Sequence, residues 1–257
     1  MTQNNSLASG QKMPVMAHLV LGFPTLEESL ETAKAYIVAG VSIIELQIPF
    51  SHPTADGPVI TQACRIATED QHVSVQDCMD ALRQLRADHP DQEIIVMSYL
   101  NRIYTYGFQR LIDTLCDLKI HHLIVPDLPV DSTLAVAHFG KGSLRLVPVL
   151  AANVSDARLN QLCDAGFDFF YLMSDFKITG SGFSLNPRLE AVVHRIKQQQ
   201  IRYPVRIGIG FGISTPEQAR LVCQSADLAI IGSALITAQQ NGGLEAYLSA
   251  LKDGLLV

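Results

Sequence analysis

The run Val41-Ser42-Ile43-Ile44-Glu45-Leu46-Gln47-Ile48-Pro49-Phe50-Ser51-His52-Pro53-Thr54-Ala55-Asp56-Gly57-Pro58 begins as a strand and ends in a loop of turn formers. Val41, Ile43, Ile44, Leu46 and Ile48 make the strand apolar, and Glu45 stands among them where a side chain should be buried. A lone acid in such a place costs several kcal/mol unless it is paired, neutral or used in chemistry. The loop then supplies a second carboxylate, Asp56, in a different setting. Two carboxylates in unlike surroundings titrate apart, which is how one site obtains both an acid and a base near neutral pH. The same residues also admit a purely structural reading, in which Glu45 closes an ion pair and Asp56 shapes a turn.

The strand-then-helix pattern repeats on both sides of this run. Strand-length apolar runs fall at Val15–Leu21, Val41–Ile48, Ile94–Ser98, His122–Val125, Leu144–Leu150, Phe169–Met173, Val205–Gly208 and Leu228–Ile231. Between them lie helix-like stretches at Leu26–Val38, Val59–Ala67, Val75–Leu85, Phe108–Leu118, Asp131–Phe139, Ala157–Ala165, Leu189–Ile196 and Pro216–Ser225; Ser233–Ala238 and Leu244–Leu251 follow the last strand. Eight strands alternating with helices are the pattern of a parallel sheet closed into a barrel. An open doubly wound sheet is the competitor. Eight units in 257 residues favour the barrel, because α/β barrels of about 250 residues are routinely single domains. The expected fold is therefore α/β, one (β/α)8 TIM barrel over residues 15–257 behind a polar N-terminal segment, 1–14. No linker, charge block or low-complexity region divides the chain.

Such barrels carry their active sites at the C-terminal ends of the strands. The distinctive residues cluster after strands, in Gly22-Phe23-Pro24, Pro49 to Pro58, Tyr99 to Gly107, Pro126 to Pro129, Ser174 to Gly182, Gly210 to Ser214 and Gly232-Ser233. Three of the late loops suit a phosphate. The glycines of Gly208-Ile209-Gly210-Phe211-Gly212-Ile213-Ser214 let backbone amides approach a ligand. Gly232-Ser233 opens a short helix whose first amides and dipole favour an anion, and Thr179-Gly180-Ser181-Gly182 adds a flexible segment. A barrel phosphate site commonly lies between the loops after the seventh and eighth strands, so Gly210-Phe211-Gly212 paired with Gly232-Ser233 is the stronger signal. The string is no dinucleotide fingerprint, since it comes late and lacks the helix-opening third glycine.

Composition excludes several functions. Nearly half the residues are hydrophobic, and a net charge of −6 argues against nucleic acid or an acidic membrane surface as the main partner. An anionic ligand must then be held by backbone amides or a few side chains. The five cysteines are scattered, without a C-x-x-C pair, and read as buried thiols of a reducing cytoplasm. Met1 to Lys12 lacks an apolar signal core, and no run approaches a membrane span. A soluble cytoplasmic protein is expected. H-E-x-x-H, clustered Cys/His and G-x-S-x-G are missing. His121-His122 opens a strand on alternate faces, which argues against joint metal binding, and no lysine sits in an apolar strand as a Schiff-base lysine would. Asp127 ends a strand and either shapes a site or bridges loop amides.

Together these motifs resemble the α subunit of tryptophan synthase. The family's E-L-G-[IV]-P-F-S-D-P-x-A-D-G-P matches Glu45 to Pro58 at most positions. The likeness extends in order through Leu21-Gly22-Phe23-Pro24, Tyr99-Leu100-Asn101, Val125-Pro126-Asp127-Leu128-Pro129, Thr179-Gly180, Gly210 to Gln218 and Ile231-Gly232-Ser233-Ala234, covering nearly everything from Val15 onward. The resemblance implies retro-aldol cleavage of indole-3-glycerol phosphate to indole and glyceraldehyde 3-phosphate, with no cofactor and no metal. It implies Glu45 as general acid and base and Asp56 as acceptor of the indole N–H. Tyr171, at the end of the sixth strand, looks like the family tyrosine beside that aspartate, a packed core tyrosine being the alternative. Tyr99 joins the substrate pocket. Gly180, Gly210, Phe211, Gly212, Gly232 and Ser233 would hold the phosphate, and Thr179 would lie in a closing lid. The implied partner is a tryptophan synthase β subunit in an α2β2 assembly.

The chain departs from the family pattern at several positions. His18 replaces an aromatic residue on the pocket wall facing the indole, either as a spacer or as a change of substrate or pH response. Gln47 replaces a glycine and adds bulk beside the strand that carries Glu45. His52 and Thr54 fall in a loop that in the family contacts the β subunit, Lys177 stands where the family's lid usually has a glycine, and Arg102 follows Asn101 where proline is frequent. The usual amphipathic N-terminal helix is replaced by the polar Met1–Lys12. These departures leave two alternatives: a free-standing indole-releasing lyase with an altered partner or substrate, or a non-catalytic allosteric partner of a β subunit.

Overall fold

A computed structural model describes residues 12–140, 142–174, 177–179, 182–199 and 205–255. Its central sheet is parallel throughout. The strands are β1 (Met13–Val20), β2 (Val41–Gln47), β3 (Glu93–Met97), β4 (His122–Ile124), β5 (Arg145–Leu146), β6 (Val149–Ala151), β7 (Phe169–Met173), β10 (Arg206–Gly210) and β11 (Leu228–Ile231), and β8 (Lys177–Thr179) and β9 (Gly182–Ser184) form a separate antiparallel hairpin. The sheet runs β5-β4-β3-β2-β1-β11-β10-β7-β6. Its two ends, β5 and β6, are the halves of one stave interrupted at Val147-Pro148. Val147 N donates to Leu123 O on one side (2.9 Å) and Tyr171 N donates to Pro148 O on the other (2.9 Å), which closes the barrel. Pro148 has no N–H to give a ladder, so the break falls where the sequence requires one. The eight expected staves are present.

Alternation along β1 and β2 decides what faces the barrel axis. Ala17, Leu19, Ile44, Leu46 and Ile48 point outward, into the apolar layer shared with the helices. Met16 and Ile43 point inward, where they join Ile95, Met97, Ile124, Phe169 and Ile230 in an apolar plug. The next inward positions above this plug are His18 and Glu45, followed on β2 by Gln47.

The helices match the expected ones within a few residues at each end, from α1 (Leu26–Ala39), capped by the Thr25 side chain, to α9 (Pro216–Ser225), which opens with a capping box from Thr215 and Gln218. The structure adds one helix, α4 (Leu100–Tyr106), where a loop was expected. Leu100, Ile103 and Tyr106 turn one face of α4 to the core, but seven residues are too few for periodicity to separate a helix from a loop. The segment after β7 proves to be the β8–β9 hairpin, with Thr179 opposite Gly182. Gly180 and Ser181 lie outside the described residues, as do Met1 to Gln11 of the polar N-terminal segment.

Candidate active site

Residues Glu45 and Asp56 reach one cavity of about 970 Å3 at the C-terminal end of the barrel. Glu45 is 4% exposed, as its place in the strand required. β1 and β2 pair so that His18 lies directly opposite Glu45, and both side chains turn inward. His18 Nδ1 stands 3.3 Å from Glu45 Oε2. Burial alone would lower the His18 pKa; the Glu45 carboxylate, with smaller help from Asp56 and Gln47, outweighs it and raises the value above 6.5. Both the ion-pair reading of Glu45 and its place in a cavity are therefore realised at once.

Asp56 is held from behind. Gln47 Nε2 donates to its Oδ2 (2.7 Å), and the Tyr99 hydroxyl donates to the same oxygen (2.9 Å). Tyr99 OH also accepts from Ala55 N at 3.0 Å, which pins the loop after β2 against β3. Burial raises the Asp56 carboxyl above its ordinary value, against the lowering influence of His18, Gln47 and Tyr99; Glu45 adds to the rise. Gln47 is thus more than bulk on the strand: it ties Asp56 to β2. Two buried atoms, His18 Nε2 and Gln47 Oε1, have no hydrogen-bond partner.

Tyr171, on β7, lines the cavity above Gly210. A Cβ at Gly210 would lie 2.4 Å from the Tyr171 hydroxyl, and one at Gly208 would meet Ile230 at 2.7 Å. These two glycines make room for inward side chains rather than for a ligand, a different use from the expected close approach of amides. Gly212, in contrast, does line the cavity, and it and Phe211 have positive φ (74° and 69°). A bulky residue in that region marks local backbone strain, which concentrates at functional sites.

The far end of the cavity is built from Phe211, Gly212, Ser214, Gly232, Ser233 and Ala234. Gly232 caps α10 (Ser233–Gln240) without a side-chain hydrogen bond. The first amides of a helix have no intrahelical acceptor, and here they face the cavity with the positive end of the helix dipole. Among the described residues lining the cavity none is Lys or Arg. The groups that the cavity offers to an anion there are backbone amides and the Ser233 hydroxyl.

The structure therefore brings His18, Glu45, Asp56, Tyr171, Phe211, Gly212, Gly232 and Ser233 to one cavity, with Tyr99 and Gly210 directly behind it. Thr179 lies in β8, and nothing is described of its side chain or of Gly180. Asp127 accepts from Leu100 N (2.9 Å), bridging the loops after β3 and β4. Sequence reasoning missed Tyr247, which lines the cavity from α11 (Leu244–Leu255) and donates to Ser214 O at 3.0 Å. No local signal marks it, because the last helix reaches this loop only through the closed barrel.

A model of the tryptophan synthase alpha chain matches residues 5–251 of the sequence. The chain belongs to that family. The alpha chain of Chloroflexus aggregans is 34% identical over 235 residues, covering 90% of this chain and 85% of that one. The alpha chain of Syntrophotalea carbinolica is 30% identical over 258 residues, with 98% of each covered. Among solved structures, a tryptophan synthase from M. tuberculosis superposes with a TM-score of 0.81 at 27% identity, over 95% of this chain and 92% of that one. The tryptophan synthase subunit alpha of Legionella pneumophila str. Paris gives 0.81 at 27% identity, over 95% and 93%. Members of the alpha chain family thus share this fold along nearly its whole length.

Proposed function

We propose that the protein cleaves indole-3-glycerol phosphate to indole and glyceraldehyde 3-phosphate, in tryptophan biosynthesis, as a carbon–carbon lyase working without cofactor or metal. The observation that carries this reading is the cavity's polarity. Two carboxylates stand at one end above an apolar plug, and an amide-lined anion site stands at the other, in a chain of the alpha family. Glu45 gives a proton to the ring carbon that bears the side chain. Asp56 accepts the hydrogen bond of the ring N–H and stabilises the positive charge that develops. Glu45 then takes the proton of the side-chain hydroxyl. The carbon–carbon bond breaks, its electron pair returns to the ring, and the hydroxyl oxygen becomes the aldehyde carbonyl of the triose phosphate. Tyr99 fixes Asp56 through its hydroxyl, Tyr171 packs the ring with Gly210 giving it room, and Gly212, Gly232 and Ser233 hold the phosphate with Gly180 and Phe211. The β8–β9 hairpin carrying Thr179 is the lid that excludes water.

The partner in this reading is a tryptophan synthase β subunit, which takes indole onward within an α2β2 assembly. An exposed apolar patch at the loops after β3 and β4 supports it: Tyr104 on α4 is 73% exposed and packs edge-on against Phe108, which stacks on His138 one turn beyond the exposed Leu134. Such a patch suits a protein partner. The same reading places the protein in the cytoplasm, where its five free cysteines remain reduced; no described helix is long and apolar enough to cross a membrane.

The test is indole release from indole-3-glycerol phosphate by the purified chain, with and without a β subunit. Release that the β subunit stimulates and Glu45→Gln abolishes is the expected result. Release without any response to the β subunit overturns the partner, and no release in either condition overturns the reaction.

A further inference from the structure

His18 is a titratable side chain that the reaction above does not use. It is 4% exposed, lines the cavity, and meets Glu45 through Nδ1 at 3.3 Å across the β1–β2 register. The titratable groups that face it are Glu45 from β2, Asp56 from the loop that follows, and the Tyr171 hydroxyl across the cavity from β7. Gln47, also from β2, stands beside it without charge; Tyr36 of α1 reaches only its carbonyl oxygen, and Gly232 and Ile60 close the remaining side. Its sole nearby charges are therefore negative, and no described Lys or Arg of the cavity competes for either carboxylate.

We infer that His18 is a positioning residue that stores the proton Glu45 uses, so that the acid–base unit of this site is a His18–Glu45 pair holding one proton. The inference rests on the lyase reading given above. In the resting pair the proton is on His18 Nδ1 and Glu45 is a carboxylate. It moves along the contact to Glu45 Oε2, and Glu45 passes it to the ring carbon. Glu45 then removes the proton of the substrate hydroxyl as the carbon–carbon bond breaks, and returns it to His18 Nδ1. The ring carbon gains one proton, the hydroxyl loses one, and the pair ends as it began. A lone carboxylate must be protonated before the reaction starts, which fails well below neutral pH; the pair keeps its proton while His18 is charged, a condition its raised pKa extends to higher pH.

Two measurements test this. The first is the titration of the His18 ring by NMR in the ligand-free wild type and in Glu45→Gln. The expected result is a midpoint above that of a free imidazole, falling when the Glu45 charge is removed; a midpoint unmoved by Glu45→Gln overturns the inference. The second is the pH profile of kcat for indole release in wild type, His18→Phe and His18→Gln. Both variants are expected to lose the alkaline part of the profile, with kcat at pH 8 falling about tenfold more than at pH 6. Gln keeps a hydrogen-bonding side chain and cannot hold the proton, which separates storage from packing. Profiles that differ only by a constant factor overturn the inference, whatever the NMR shows. A normal NMR coupling in a wild type that releases no indole at any pH overturns the lyase reading, and the proton store falls with it.

Discussion

The two ends of this barrel use the same residue types in opposite ways. At the N-terminal end, Arg206 bridges three intervening strands to clasp Glu93 through both of its terminal nitrogens, at 2.8 and 2.6 Å. Asp168 there receives both Arg145 (2.5 Å) and His122 (3.1 Å). Burial would raise its carboxyl, but His122 and Arg145 together hold it below the ordinary value. At the C-terminal end the two carboxylates of the cavity, Glu45 and Asp56, have no arginine beside them, Asp56 is pushed up rather than down, and His18 Nε2 and Gln47 Oε1 are buried without a partner. One end is closed electrostatically. The other retains unsatisfied groups, as a site does when its interactions are completed by a ligand and not by the fold.

The contrast can be broken by mutation, and the largest effect is expected at the cavity. Glu45→Gln should cut kcat for indole release by about 10³ or more, and it should also remove the alkaline-side dependence of stability that His18 contributes; an unchanged kcat would leave Glu45 a structural ion pair alone. Asp56→Asn should cost about 10² in kcat, with Tyr99 and Gln47 still able to hold the loop. Gly210→Ala places a methyl against the Tyr171 hydroxyl, and denaturant unfolding should register about 1–3 kcal/mol of destabilisation. At the opposite end, Arg206→Met breaks a half-exposed pair. Its cost should be near 1 kcal/mol after solvent screening, with kcat unchanged at saturating substrate.

Acid and base separate the ends again. The folded pKa of His18 is raised, so its contribution to stability is complete below pH 6.5 and is lost as pH rises through the folded value. Asp168 is lowered, so its contribution is present above the ordinary carboxylate pKa and is lost as pH falls through the folded value. Chemical unfolding across pH should therefore show a decline on the alkaline side that His18→Phe removes, and one on the acid side, shared with Asp77, Asp131 and Glu217, that Asp168→Asn reduces. If either variant removed both declines, the two ends would not be independent.

Much of this was legible from residue order alone. Period-two alternation buries Glu45 beside Ile43 and above an apolar plug, and Gly232-Ser233 opens a helix because glycine ends a strand and serine begins the next turn. What eluded the sequence depends on register and on return paths. That His18 faces Glu45 follows from a β1–β2 register no local pattern encodes. Gln47 gains its meaning only when the loop folds back to set Asp56 on its amide. Gly208 and Gly210 signal close approach in either reading, and only the structure shows that the approaching groups are Ile230, Phe169 and Tyr171 rather than a ligand.

The broken stave at Val147-Pro148 has a mechanical corollary. β1 and β2 pair over long runs, whereas β4, β5 and β6 contribute 3, 2 and 3 residues. The barrel is thus lopsided in stiffness, rigid on the wall that holds the carboxylates and compliant on the wall opposite. Deuterium will enter the short staves long before it reaches β1 and β2. A rigid wall keeps proton donors and acceptors in alignment, while a compliant one lets the cavity widen for an aromatic ring to pass.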